Sequence, residues 1–173
     1  MLIHEIRTNT CRLEHINIRT DLKPGDIGFV TYMHGKLYSI EYGYGLSFES
    51  YVANGFHEFV SNHNAEKDAV WVCEHDEKIV GFLLLMDRGN NSAQLRFFIL
   101  SPAYRGIGLG KKLLEKFVEH LHAKGYHHAF LWTTNEQQAA ARLYERAGFR
   151  LTEEKESTSF GKDLVEQRYD LFL

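Results

Sequence analysis

The residues best suited to chemistry in this chain form one short run, Arg105-Gly106-Ile107-Gly108-Leu109-Gly110-Lys111. It follows an apolar, strand-like segment and opens an amphipathic, helix-like one. A strand-to-helix junction leaves backbone N–H groups unpaired at the positive end of a helix dipole. Glycines there let the backbone approach phosphate oxygens closely, so the run reads as a pyrophosphate cradle. Arg105, Lys111 and Lys112 add cationic charge.

Other phosphate motifs fail at specific positions. A dinucleotide fingerprint GxGxxG starting at Gly106 requires glycine where Lys111 stands. A P-loop ending in Gly110-Lys111 requires glycine at Arg105 and Ser or Thr at Lys112. Ten histidines raise the question of a metal, but His57-Glu58-Phe59-Val60-Ser61 departs from HExxH at its last position. His120 and His122 are two apart on a helix, and adjacent His127 and His128 diverge on a strand. No metal is therefore expected, and without a G-x-S-x-G there is no support for a serine hydrolase.

Arg105-x-x-Gly108-x-Gly110 resembles the [Q/R]-x-x-G-x-[G/A] signature that follows the fourth strand in the GNAT superfamily of N-acetyltransferases. Ser101-Pro102-Ala103-Tyr104 matches its usual approach, and Leu143-Tyr144-Glu145-Arg146-Ala147-Gly148-Phe149 is similar to its L-Y-x-x-x-G-F element. More narrowly, Gly25-Asp26-Ile27-Gly28-Phe29-Val30, Tyr38-x-x-Glu41-Tyr42-Gly43 and Phe160-Gly161-Lys162-Asp163-Leu164-Val165 look like acetyltransferase domains sometimes fused behind winged-helix regulators of the MarR type.

The resemblance implies an acyltransferase that moves acetyl from acetyl-CoA to a primary amine by direct attack, through a tetrahedral intermediate. Acetyl-CoA would be a co-substrate, its pantetheine pairing with backbone groups of Phe98, Ile99 and Leu100 and its pyrophosphate lying on Arg105 to Lys111. Direct transfer needs a neutral amine, and an amine of pKa about 10 is only about a thousandth deprotonated at neutral pH. The departing thiolate gains from a general acid, a role the resemblance gives to Tyr144. Where protein-modifying members often carry a base Glu on the fourth strand, this chain has Ala93-Gln94-Leu95. Either water removes the proton or a carboxylate elsewhere does, and Glu41 is the candidate. An asparagine usual seven residues before the tyrosine is Gln137 here, so Asn135 is the candidate for a shifted cofactor contact. Gln94 also keeps a second function open, a non-catalytic acyl-CoA-binding or regulatory module with the same fold.

Periodicity supplies the elements that position these residues. A half-buried strand is expected over His15 to Arg19, then helices over Asp26 to Tyr42 and Ser47 to Asn62. Strands follow over Ala69 to Glu74, Lys78 to Met86 and Ser92 to Leu100, the first two joined by a turn at His75-Asp76-Glu77. Lys111 to Lys124 has Leu113, Leu114, Phe117, Val118 and Leu121 on one helical face and stops at Gly125. A strand over Tyr126 to Thr133, a helix over Gln137 to Ala147 and strands over Leu151 to Ser157 and Leu164 to Leu173 complete the pattern. That order predicts an α+β fold with helices on a mixed sheet, and the resemblance implies its GNAT-like form, a mixed, mostly antiparallel twisted sheet with helices on both faces.

Composition bounds the rest. With 173 residues, 44% of them apolar, the chain reads as a single domain over 1–173. A net charge of −3 with interspersed lysines and arginines gives no nucleic-acid footprint. Cys11 and Cys73 cannot form a disulfide framework, and Met1-Leu2-Ile3-His4-Glu5-Ile6-Arg7 has no leader-like apolar core, so a cytoplasmic protein is expected. The longest apolar run, near Val80 to Met86, is far below the roughly 20 residues of a membrane span. The partners expected are a small-molecule or peptide amine acceptor, with a homodimer allowed and neither nucleic acid nor membrane. Tyr38, Tyr42, Tyr44, Phe48 and Tyr51 are candidates to wall the acceptor site, in competition with plain helix core.

Overall fold

The structure is a computed structural model and describes residues 11–173; the N-terminal start read for a leader lies outside the described residues. A 3₁₀ turn at Leu13–His15 precedes β1 (Asn17–Arg19), so the expected strand starts two residues late. Helices α1 (Asp26–Tyr42) and α2 (Leu46–Ser61) follow, then β2 (Ala69–His75), β3 (Lys78–Asp87) and β4 (Ser92–Leu100). The second half contains α3 (Leu109–Ala123), β5 (His128–Thr134), α4 (Gln138–Arg146), β6 (Arg150–Ser157) and β7 (Leu164–Phe172). The element order matches the reading of the sequence. α3 begins two residues earlier than expected, which places Leu109 and Gly110 inside the helix.

All seven strands form one mixed sheet in the order β1-β2-β3-β4-β5-β7-β6. Only the β4–β5 pair is parallel; the remaining neighbours run antiparallel. Helices cover both faces. On one, Leu109, Leu113, Phe117 and Leu121 of α3 and Tyr144 of α4 pack against Leu83, Leu85, Leu95 and Leu131. On the other, Val30 of α1 and Val52, Phe56 and Phe59 of α2 pack against Val72, Phe82, Leu84 and Ile99. Each such side chain taken from water contributes roughly 1.5–3 kcal/mol before conformational entropy is counted.

Arg19 ties the first strand to the first helix. Its Nη2 lies 2.8 Å from Asp26 Oδ1 at the start of α1, and its Nε donates to Glu74 of β2 at 2.7 Å. Among the described residues no helix is long and apolar enough to cross a membrane.

Candidate active site

Two departures from regular sheet geometry build the site. The first is that β4 and β5 pair over only three positions, ending at Gln94↔Phe130. β4 continues to Leu100 and β5 to Thr134, the latter held along its whole length by β7. Beyond Gln94 the β5-facing edge of β4 is therefore without a strand partner among the described residues, and the sheet opens into a wedge. The second is a β-bulge in which Leu83 of β3 faces both Phe97 and Phe98 of β4. Phe97 adopts φ +54°, a conformation costing a bulky residue about 1–3 kcal/mol. The bulge breaks the alternation of the strand, so Arg96 and Phe97 both point toward α2 while Leu95 and Phe98 face α3 and α4.

The glycine loop sits at the mouth of the wedge. Gly106 and Gly108 have φ +78° and +89°, where a side chain is strained. A Cβ on Gly106 would meet no atom within 4 Å, and one on Gly108 only Leu13 Cδ2 at 3.8 Å. The six successive N–H groups from Gly106 to Lys111 find no acceptor among the described residues. Lys112 donates the first helical bond, to Gly108 C=O at 3.0 Å. An open concavity lined by donors at a helix N-terminus fits a pyrophosphate. Gly110 serves packing instead, since a Cβ there would lie 3.1 Å from Leu143 Cδ1.

Above the wedge lies a cavity walled by aromatic side chains from both halves of the chain, among them Tyr38, Phe48, Tyr51, Phe97, Trp132 and Phe160. Tyr38 stacks on Phe48 at 4.6 Å and donates its hydroxyl to Gln137 Oε1 at 3.0 Å. Tyr144 is 4% exposed, lines the same cavity, and its hydroxyl has no hydrogen-bond partner among the described residues. Burial, reinforced by nearby Tyr42 and Tyr169, pushes its phenol well above the usual tyrosine value, so it stays protonated at neutral pH. His34 also lines the cavity. Its Nδ1–H donates to Val30 C=O at 2.8 Å, and burial lowers its pKa to about 4, leaving a neutral ring with its lone pair on Nε2. Thr133 Oγ1 in the lining is buried with no partner, a polar atom of the kind a bound ligand satisfies.

Gln94 is held rigidly. Arg88 Nε donates to its Oε1 at 2.8 Å, and Arg88 also pairs with Glu58. Glu58 Oε2 in turn lies 3.0 Å from Arg96 Nη1. At the other end Glu166 of β7 faces the cavity, with Lys155 Nζ 3.4 Å from its Oε2.

Residues 35–149 match the Acetyltransferase (GNAT) family. The chain belongs to that family. A probable N-acetyltransferase camello of Xenopus tropicalis is 33% identical over 88 residues, covering 50% of this chain and 40% of the frog protein. A 5-NmdU N-acetyltransferase of Pseudomonas phage PaMx11 is 32% identical over 98 residues, covering 56% and 67%. The chain spans less than half the length of the first two curated relatives it matches. Among solved structures, a Streptococcus agalactiae acetyltransferase superposes with TM-score 0.72 at 22% identity, covering 92% of this chain and 99% of that one. A Vibrio cholerae spermidine N-acetyltransferase in complex with CoA and spermine gives TM-score 0.67 at 17% identity, covering 92% and 96%.

The positions singled out from the sequence of this GNAT-family chain divide into three groups. Tyr144 and Phe98 line the cavity, and the loop from Arg105 to Lys111 packs at the end of β4, where Arg105 bonds Leu100 and Gly110 lies against Phe98 and Leu100. Ile99 sends its side chain into the core under α2, and the carbonyl of Leu100 accepts Arg105 Nε at 3.1 Å. Within the loop Ile107 is half-buried, Leu109 is core, and Lys111 is exposed beside Glu115 at 3.7 Å.

Two positions stand elsewhere. Glu41 is not in the cavity lining; its Oε1 lies 2.8 Å from Arg105 Nη1, because the last turn of α1 passes over the loop. Asn135 is exposed and extends the β5–β7 ladder, its N–H donating to Val165 C=O at 2.9 Å and its Oδ1 accepting from Val165 N–H at 3.1 Å. Gln137, where the family usually has asparagine, is the one that reaches the cavity. Of the five candidate wall aromatics, Tyr38, Phe48 and Tyr51 line it. Tyr44 is core, its hydroxyl 2.7 Å from Thr134 Oγ1 and its pKa pushed by burial to about 12.

His34, Arg96, Trp132 and Glu166 were not singled out from the sequence, and Phe160 entered only as part of the MarR-type resemblance. Arg96 did carry a signal, a lone charge inside the apolar run Leu95-Arg96-Phe97-Phe98-Ile99. The others join the cavity only through the tertiary fold. Away from the cavity, Cys11, His15 and His75 bring one potential metal-ligand atom each within 4.8 Å of the others. His75 Nδ1 there bonds Tyr104 hydroxyl at 2.9 Å.

Proposed function

We propose that this chain transfers an acetyl group from acetyl-CoA to a primary amine seated in the aromatic cavity. The observation that carries the reading is the continuity of three features. The six unpartnered N–H groups lie at the mouth of the wedge, the wedge exposes the free edge of β4, and the wedge ends at Tyr144. Thioester-bound acetyl-CoA supplies an activated carbonyl and a thiolate leaving group. The backbone from Gly106 to Lys111 holds the pyrophosphate, and the unpaired edge from Phe98 to Leu100 aligns the pantetheine. Arg105 closes the loop over the strand end by bonding Leu100 C=O and Glu41.

Amine nitrogen attacks the carbonyl carbon, the carbon–sulfur bond breaks, and one proton passes from nitrogen to sulfur overall. Tyr144 donates a proton to the leaving sulfur and recovers it from solvent or the acceptor side. A phenol held above its usual pKa is a weaker acid than a free one, which limits its contribution. Glu166 is the carboxylate that faces the cavity and receives the amine proton through water, while Glu41 positions Arg105. Mass spectrometry of an amine panel incubated with acetyl-CoA and protein tests the reading. Amines that gain one acetyl group support it; no acetylated amine with any member, in a sample that binds CoA, contradicts it.

Gln94, fixed by Arg88 where a base glutamate is common, supports a second reading in which the chain binds acyl-CoA without turnover. The narrower resemblance to domains fused behind MarR-type regulators implies no defined acceptor.

A further inference from the structure

The acceptor cavity contains a cation that the proposed reaction does not use. Two charged side chains line it, Arg96 on β4 and Glu166 on β7. Because β5 lies between those strands, they are roughly 10 Å or more apart. Glu166 has Lys155 beside it. At the other end two guanidinium groups, Arg88 and Arg96, share the single carboxylate of Glu58, and the remaining partner of Arg88 is the neutral amide of Gln94. Among the described residues one positive charge of this group is left without a carboxylate.

Three features of the fold converge on putting Arg96 there. The bulge at Phe97 turns Arg96 onto the cavity face. Gly55 in the middle of α2 clears space for it, since a Cβ there would lie 2.6 Å from Arg96 Nη2 and 2.5 Å from Phe97 Cζ. The guanidinium is sandwiched by aromatic rings, its Cζ 4.6 Å from the Phe97 centroid and 5.4 Å from that of Tyr51. Its side chain is 9% exposed. Among the described residues one bond is made, Nη1 to Glu58, and Nε and Nη2 donate to none. A nearly buried, rigidly oriented guanidinium with donors to spare is suited to a carboxylate.

We propose that the acceptor amine also carries a carboxylate, bound by Arg96, and an apolar body packed among Tyr38, Phe48 and Tyr51, as in an apolar amino acid. This rests on the acyl-transfer reading but is tested separately from it. The ligand brings its own anion to the excess cation. Glu58 holds the guanidinium in place and so acts as a positioning residue.

The test uses 3-phenylpropanoate and phenethylamine as binding probes with CoA present, and phenylalanine against phenethylamine as acceptors. 3-Phenylpropanoate binding measured by calorimetry should weaken about 10- to 100-fold in Arg96→Gln, with phenethylamine binding unchanged or tighter. The kcat/KM preference for phenylalanine over phenethylamine, compared at equal free-amine concentration, should collapse in the same variant. Arg96→Lys, which keeps charge but not the fork, should fall between wild type and Arg96→Gln and serves if the glutamine variant does not fold. Equal 3-phenylpropanoate affinity in wild type and variant, or a wild-type preference for phenethylamine, overturns the assignment. Absence of turnover with every amine removes the acyl-transfer reading, and the binding comparison still decides Arg96.

Discussion

Arg105 Nη1 lies 2.8 Å from Glu41 Oε1, and through that pair α1, one of the helices lining the cavity, is attached to the loop proposed to hold the pyrophosphate. The Arg105 side chain is nearly half exposed, so the pair contributes only about 0.2–1 kcal/mol. Glu41→Gln should therefore raise KM for acetyl-CoA about 2- to 5-fold and leave the acceptor pH profile unchanged. Initial rates against acetyl-CoA, repeated across pH, check both parts.

Glu166→Gln should behave in the opposite way. Acceptor kcat/KM should fall about 10²- to 10⁴-fold, while KM for acetyl-CoA stays near wild type. If Glu41→Gln lowers acceptor kcat/KM in this way and Glu166→Gln does not, the two glutamates exchange roles.

Tyr144→Phe removes one hydroxyl and keeps the ring packed near Phe98 and Phe149, at centroid distances of 6.1 and 6.2 Å. General acid catalysis is worth about 10²–10⁴-fold, and the elevated phenol pKa together with a thiolate that leaves readily favours the lower end. The loss should appear in kcat, with acetyl-CoA binding little changed. Wild-type turnover in the variant, once chemistry is shown to limit the rate, removes the acid role.

His34 makes stability depend on pH in a defined window. Burial lowers its folded-state pKa to about 4, against about 6.5 unfolded. As pH falls the unfolded chain takes up the proton first, so the contribution is complete above about 6.5 and is lost progressively toward about 4. The total is on the order of 3 kcal/mol. Urea midpoints between pH 7 and pH 4 should decline in wild type and flatten in His34→Gln. Asp170 belongs to a lower window. Burial opposes its ionisation, but hydrogen bonds from Arg168, Thr152 and His128 prevail and hold it down to about 2.

Gly108→Val forces a β-branched residue to φ +89°. Acetyl-CoA affinity should fall at least tenfold, by loss of the cradle geometry, while far-UV circular dichroism stays native. Full affinity in a folded variant would detach the loop from the cofactor.

The helices and strands were legible because their signals are local. Leu113, Phe117 and Leu121 repeat at helical spacing and Gly125 ends the run, so α3 could be read directly. Tyr144 and the loop could be read as candidates because the motifs that carry them depend on chain order and short spacing. Arg96 and Glu166 were not, since which face Arg96 presents depends on a bulge that no residue type at Phe97 announces. Glu41 looked like an acceptor-side residue from its helix alone, and only the packing of α1 over Arg105 shows where its carboxylate goes. Asn135 misled in the same way, because its role is decided by Val165, thirty residues away.

The measurement that bears most directly on the central claim combines acetyl-CoA binding and thiol release in one preparation, with amines supplied in turn. Acyl transfer predicts that acetyl-CoA binds and that free thiol appears only when a suitable amine is added, in step with acetylated product. Saturable acetyl-CoA binding with no thiol released by any amine, including those carrying a carboxylate, would contradict it and leave the chain as an acyl-CoA-binding module.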